Sequence, residues 1–276
     1  MQTPSKTING GQILANALVR QGVNIAFGVP GESFLPLLNG LVDHPHFRFI
    51  TCRQEGGAAY MAEAYAKLTG QAGVMMVTRG PGASNAMIGM HTAYQDATPM
   101  VLLVGQVGTD MVEREAFQEI DYRRMYSECG KWVGSIDRVD RIDEFVSHAF
   151  HVAQAGRKGP VVLALPEDVL YMSGQDNPTK PAHIVQPGLD TKQFDAAMKV
   201  FSSAKKPMII AGGGNWNSNA CDDLRRWANQ EGVPVATSFR SQDLIDNLDP
   251  AFAGDLGIGA NPSLVKRIGE ADTLLV

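Results

Sequence analysis

The sequence predicts an α/β protein: a doubly wound parallel sheet with helices on both faces, followed by a second, incomplete α/β domain. Three observations carry this. Short apolar runs of strand length alternate with longer stretches whose apolar residues recur at helical spacing. Runs such as Val74–Val77 and Val101–Val104 are apolar throughout, as strands covered on both faces must be. Several of these strands run directly into turns containing glycine that open a helix.

Taken in order, Asn9-Gly10-Gly11-Gln12 has the spacing of a capping box, and Ile13, Leu14, Ala17 and Leu18 continue a helix that Gly22 ends. Asn24–Val29 is a buried strand entering the turn Pro30-Gly31-Glu32-Ser33, which opens a helix from Phe34 to Leu41. Phe47–Thr51 is a strand of aromatic and β-branched residues. After it, Ala58–Leu68 is an alanine-rich helix capped by Gly70. Its small side chains predict close packing on every face. Gly73–Thr78 is a central strand feeding a glycine-rich loop, Arg79–Asn85, and a helix through Tyr94. Met100–Gly105 is a strand, Lys131–Ser135 a weaker one, Val139–Ala153 an amphipathic helix and Pro160–Pro166 the last strand of the unit.

Residues 1–170 therefore form one domain. Residues 171–189, with Gly174, Pro178, Pro181, Pro187 and Gly188 among polar residues, read as a linker. A second α/β domain occupies residues 190–276: a helix from Thr191, strand Pro207–Ala211, loop Gly212-Gly213-Gly214, a helix from Ser218, strand Val233–Thr237, helix Pro262–Gly269 and a strand from Ala271. That is about half of an ordinary α/β domain, so the chain is expected to be a piece of a longer protein.

Composition narrows the function. The 276 residues are 44% apolar and carry a net charge of −5, which argues against nucleic acid or an anionic membrane as the main partner. Cys52, Cys129 and Cys221 are scattered and odd in number, as reduced thiols of a cytoplasmic protein are. No apolar run approaches the ~20 residues a bilayer-spanning helix needs. His148 and His151 lie one helical turn apart but lack a third ligand, so no metal site is assigned to this chain.

Three features face the carboxyl ends of strands, where open α/β sheets collect ligands. Glu55 sits between a strand and its helix. Read alone, it complements the positive end of the helix dipole, although a carboxylate at the mouth of so small-sided a helix is also partly desolvated. Gly80-Pro81-Gly82 either only turns the chain or lets another molecule approach the backbone closely. Gly212-Gly213-Gly214 is likewise a plain turn or a diphosphate cradle. Neither a Walker loop nor Gly-x-Gly-x-x-Gly after a strand is present.

Taken together, several stretches resemble the amino-terminal half of thiamine-diphosphate-dependent enzymes of the acetolactate synthase-like group. They are Phe27–Gly31, Arg53–Ala59 with Ala62–Ala66, Thr78–Asn85, Ala93–Pro99, Gly105-Gln106, Ala116–Glu119 and Gly159–Val169. The resemblance runs from about Gln12 to Val169 and extends weakly into the second domain. It implies that residues 1–170 bind the pyrimidine of thiamine diphosphate and that Glu55 is the cofactor-activating glutamate. That carboxyl would hydrogen-bond a ring nitrogen of the aminopyrimidine and so promote the carbanion that attacks a 2-keto acid.

By position, Pro30, Gly31, Gly80, Pro81, Gly82 and Asn85 join Glu55 around the cofactor. Phe117 and Gln118 fall on the substrate side, Gln118 with a catalytic part. The reaction implied is decarboxylation and carboligation in a homodimer or homotetramer. Three positions depart from the group's pattern. Gln54 and Gly56 stand where a histidine and a glutamine are common, and Glu32 stands where a second glycine is. The group's magnesium and diphosphate motif, Gly-Asp-Gly with a later asparagine, belongs to a carboxy-terminal domain. Gly254-Asp255-Leu256-Gly257 does not supply it, so the piece alone is expected to be inert. FAD at Gly212–Gly214 stays open. So does a non-catalytic reading, in which this is a binding or assembly module pairing with itself or with a partner chain.

Overall fold

The computed structural model describes residues 7–276 apart from 182 and 186. The first six residues of the expected first domain, and two residues of the expected linker, thus lie outside the described residues. The chain divides into two compact units, residues 1–185 and 186–276.

The first unit runs β1 (Thr7–Asn9), α1 (Gly10–Arg20), β2 (Ile25–Gly28), α2 (Leu35–Leu41), β3 (Arg48–Thr51), α3 (Glu55–Thr69), β4 (Gly73–Val77) and α4 (Arg79–Gln95). It continues with β5 (Met100–Gln106), α5 (Tyr122–Met125), β6 (Trp132–Ser135), α6 (Ile142–Gln154), β7 (Pro160–Pro166), α7 (Glu167–Tyr171) and β8 (Ser173–Gln175). Six strands form one parallel sheet in the order β3-β2-β4-β5-β7-β6.

Alternate side chains of the central strands serve opposite faces. Val74, Met76, Val101 and Leu103 pack with Leu14 and Leu18 of α1, Leu37 of α2 and Val146 and Phe150 of α6. Met75, Val77, Leu102 and Val104 pack with Ala58, Ala59 and Ala62 of α3 and Ala86 and Met90 of α4. Each fully buried aliphatic side chain of this kind contributes roughly 1.5–3 kcal/mol, and both faces are covered. The doubly wound expectation is therefore met.

Local signals held where capping chemistry was explicit. Asn9 and Gln12 form the capping box of α1, each side chain accepting from the other residue's backbone N–H. Gly70, at φ 72°, caps α3 in the left-handed conformation. Other expectations are corrected. The glycine-rich stretch Arg79–Asn85 is not a loop but the opening of α4. Pro81 is tolerated there because first-turn N–H groups have no intrahelical partner. Helix α3 begins at Glu55, not Ala58, since the Gln54 side chain caps it. Close packing on every face of α3 fails too: Ala58, Ala59, Ala62 and Ala66 are buried, but Tyr60, Met61 and Leu68 are exposed. Part of the stretch read as linker is the strand β8, which pairs antiparallel with β1.

The second unit has α8 (Thr191–Ser202), β9 (Pro207–Ala211), α9 (Ser218–Glu231), β10 (Val235–Ser238), β11 (Phe252–Leu256), α10 (Pro262–Glu270) and β12 (Thr273–Leu275). Its four-stranded parallel sheet has the order β11-β10-β9-β12. Ile209 and Val235 pack on one face with Phe201 and Ala228. Met208 and Ala236 pack on the other with Leu264.

Candidate active site

In the six-stranded sheet the chain passes from β2 outward to β3, then returns to place β4 on the other side of β2. The order reverses between β2 and β4, and a crevice at such a reversal is where open sheets hold ligands. The structure places Pro30 and Gly31 after β2, Glu55 after β3, the first turns of α4 after β4, and Phe117 and Gln118 in the segment after β5. All the site residues expected from the sequence thus lie along one carboxyl edge.

Glu55 is the first residue of α3. Ahead of it, Gln54 is extended (φ −157°, ψ 140°), and its Oε1 accepts from the Gly57 N–H at 2.8 Å. Asn85, in the second turn of α4, donates from Nδ2 to Glu55 Oε2 at 2.8 Å. Gly82 lies between them: a Cβ there would come within 3.6 Å of Glu55 Oε1. Among the described residues none hydrogen-bonds Oε1, since Asn85 engages Oε2. The carboxylate is half-buried and stands at the amino ends of two helices, where the backbone dipoles favour a negative group. The helices come this close because a methyl at Gly89 would run into Ala59.

The neighbouring loops lean on the start of α4. Gly31 abuts Thr78 so tightly that any side chain would clash, and Ser33 Oγ and Thr78 Oγ1 are 2.7 Å apart. The Gly80 N–H donates to the Gln118 carbonyl at 3.0 Å, with Gln118 left-handed at φ 64°. Beneath that turn, the Glu119 carboxylate accepts from Glu113 N at 2.7 Å and Ala116 N at 3.1 Å. Gln106 Nε2 donates to the Ile120 carbonyl at 2.8 Å.

Glu55, Gly82 and Asn85 are therefore brought together directly, and Gly80 meets Gln118 through backbone. Pro30, Pro81 and Phe117 are exposed, Phe117 at 73%. The sequence reading missed Gly89 and the bracing carboxylate Glu119, although Glu119 lay inside a matched stretch. It also missed Tyr126, a buried side chain whose hydroxyl donates to Ala83 O in α4 at 2.6 Å. Concavity alone would have misled. Two hollows of this unit, one lined by Gln21, Tyr65 and Gln154 and one by Val19, His44 and Phe47, flank the amino ends of the strands.

In the second unit β9 plays the part of β2, with β10 on one side and β12 on the other. The loop after it is left-handed at Gly213 (φ 75°) and Asn215 (φ 72°), and Trp216 Nε1 donates to the Gly212 carbonyl at 2.9 Å. Asp255 accepts from the Gly257 N–H at 2.9 Å, so it serves a turn. His148 stands edge-on to Trp132, with ring centres 4.5 Å apart. Among the described residues no three His, Cys, Asp or Glu side chains cluster as metal ligands, and no helix is long and apolar enough to cross a membrane.

Residues 8–125 match the family model described as the thiamine pyrophosphate enzyme N-terminal TPP binding domain, and residues 194–276 match the central domain of the same enzymes. The chain is 34% identical to the mitochondrial acetolactate synthase catalytic subunit of Aspergillus candidus, over 96% of this chain and 40% of the relative. It is 34% identical to the probable acetolactate synthase large subunit of Methanocaldococcus jannaschii, over 97% of this chain and 46% of that one. Against acetolactate synthase isozyme 2 large subunit of Escherichia coli it is 32% identical, over 97% of this chain and 49% of the relative. The chain spans about half the length of these curated relatives. With both domain models matched in order, the chain belongs to the thiamine pyrophosphate-dependent enzymes, in their acetolactate synthase-like group.

Proposed function

We propose that the chain forms the pyrimidine-binding side of a thiamine diphosphate enzyme that decarboxylates 2-keto acids and joins the remaining fragment to a second carbonyl compound. The supporting observation is the Glu55–Asn85 pair at two converging helix ends, on the carboxyl edge beside the reversal of strand order. The residues suit the cofactor's pyrimidine. Glu55 Oε2 is engaged by Asn85, Oε1 has no partner among the described residues, and Gly82 presents no side chain beside it. A flat heteroaromatic ring can approach there.

Bound thiamine diphosphate supplies the carbanion that adds to the keto carbon. Glu55 would hold a proton at Oε1 for a ring nitrogen of the bound pyrimidine, with Asn85, which donates to Oε2, fixing the plane of the carboxyl group. Gly80 and Pro81 would line the cofactor's site beside Gly82, Pro30 and Gly31 would lie toward its reacting carbon, and Phe117 and Gln118 would serve the substrate side. Among the described residues no three His, Cys, Asp or Glu side chains cluster as metal ligands, so no residue named here is given a part in holding magnesium or the diphosphate.

Exposed Tyr60 and Met61 on α3 and Ile88 on α4 support pairing with a second copy, as a homodimer or homotetramer. The three free thiols support a reducing, cytoplasmic setting. FAD is a second proposal, on the left-handed loop after β9 at the reversal of strand order. A flavin absorption band in the purified protein is expected, and a colourless protein sets that part aside. The main reading is tested by following CO2 release from a panel of 2-keto acids with and without thiamine diphosphate and magnesium. Release that requires both is expected. Cofactor binding with no keto acid consumed would favour the assembly module instead.

A further inference from the structure

Arg79 opens α4, and the family reading gave it no role. Its guanidinium reaches two other loops at once: Nη1 donates to Glu32 Oε1 at 3.2 Å and Nη2 to Glu167 Oε2 at 2.7 Å. Glu32 begins the helical turn after Pro30-Gly31, and Glu167 begins α7 directly after β7. In the sheet, β5 lies between β4 and β7, so the arginine crosses the carboxyl end of β5. The contact beneath is close as well, since a Cβ on Gly105 of β5 would collide with Ser33.

This placement carries three costs. The arginine side chain is only 11% exposed, yet its Nε is buried without a partner among the described residues. Its backbone is left-handed at φ 31°, which a side-chain-bearing residue adopts only under constraint. It also sets a cation at the positive end of a helix dipole. The two carboxylates offset these costs.

We propose that Arg79 is a positioning residue: with Glu32 and Glu167 it straps the Pro30–Ser33 turn over the sheet edge, fixing the wall on which the keto acid is oriented. Glu32 is one of the positions at which the sequence departs from the pattern of the group it resembles, so that resemblance does not itself supply the strap. Its kinetic consequence rests on the proposed function, whereas its structural consequence does not.

The test uses the complete protein and two readouts. Hydrogen–deuterium exchange of the backbone over residues 30–34, measured without cofactor, is expected to accelerate about tenfold or more in both Arg79→Met and Glu32→Gln, with the protein otherwise protected. In the kinetic arm, kcat for the keto acid is expected to fall between about tenfold and a hundredfold, the scale on which misplaced reacting groups act. The affinity for thiamine diphosphate should stay within about threefold, and adding Glu32→Gln to Arg79→Met should cost little more, because both break one link. Unchanged exchange over 30–34 in a folded Arg79→Met protein would overturn the strap. A wild-type protein that consumes no keto acid would overturn the proposed function instead, and the exchange arm would still decide the strap. If Arg79→Met does not fold, Glu32→Gln and Glu167→Gln carry both arms.

Discussion

Asn85 donates from its side-chain amide to the carboxylate of Glu55 across 2.8 Å, and the two residues belong to different helices whose amino ends meet. The bond does two things. It fixes the plane of the carboxyl group, and it leaves one oxygen to face whatever enters from the strand edge. Asn85→Ala should therefore keep the fold and lower turnover about tenfold, an orienting effect. Asn85→Asp should be worse, because it sets two carboxylates against each other. Steady-state kinetics on both variants checks the order. Equal activity in the two would show that the pair does not orient the site.

The approach of α3 to α4 depends on Gly89 facing Ala59. Gly89→Ala forces the helices apart and should destabilise the first unit by about 1–3 kcal/mol, the usual cost of overpacking. Urea unfolding measures this. The same shift should lengthen the Asn85–Glu55 bond, so activity should fall more than stability alone explains.

Tyr122 and Tyr126 hold the segment after β5 against the sheet and α4. Their hydroxyls donate to the carbonyls of Gly105 at 3.0 Å and Ala83 at 2.6 Å. Burial pushes both phenols well above their ordinary value of about 10. A raised pKa in the folded state means the neutral phenol is what the fold prefers. Its contribution is then complete below pH ~10 and is lost as the pH climbs toward the folded-state value. Tyr126→Phe should cost about 1 kcal/mol at neutral pH and should flatten the decline of stability above pH ~10. Thermal melts from pH 7 to 11 on both proteins decide it; parallel curves would refute the assignment.

Much of this was legible from the chain alone, for stated reasons. The apolar runs at Val74–Val77 and Val101–Val104 announced central strands, because a strand covered on both faces has no polar side. The Asn9–Gln12 capping box was readable because its partners are three residues apart. Arg79–Asn85 was misread because glycine and proline weaken helices in general, while the first turn of a helix lacks partners for its N–H groups anyway. β1 and β8 escaped because they find each other across more than 160 residues. Glu55 stood out only in company. No local pattern shows that Asn85 reaches it, or that Arg79 joins Glu32 to Glu167.

The central claim is that the Glu55 carboxyl acts on the cofactor's pyrimidine. It is tested most directly by the rate at which the reactive thiazolium ring proton of thiamine diphosphate exchanges with deuterated solvent on the complete protein. Glu55→Gln should slow that exchange by at least about a hundredfold, the lower range for a positioned acid–base group, with cofactor still bound. An exchange rate equal to wild type, with the cofactor demonstrably in place, would contradict the account.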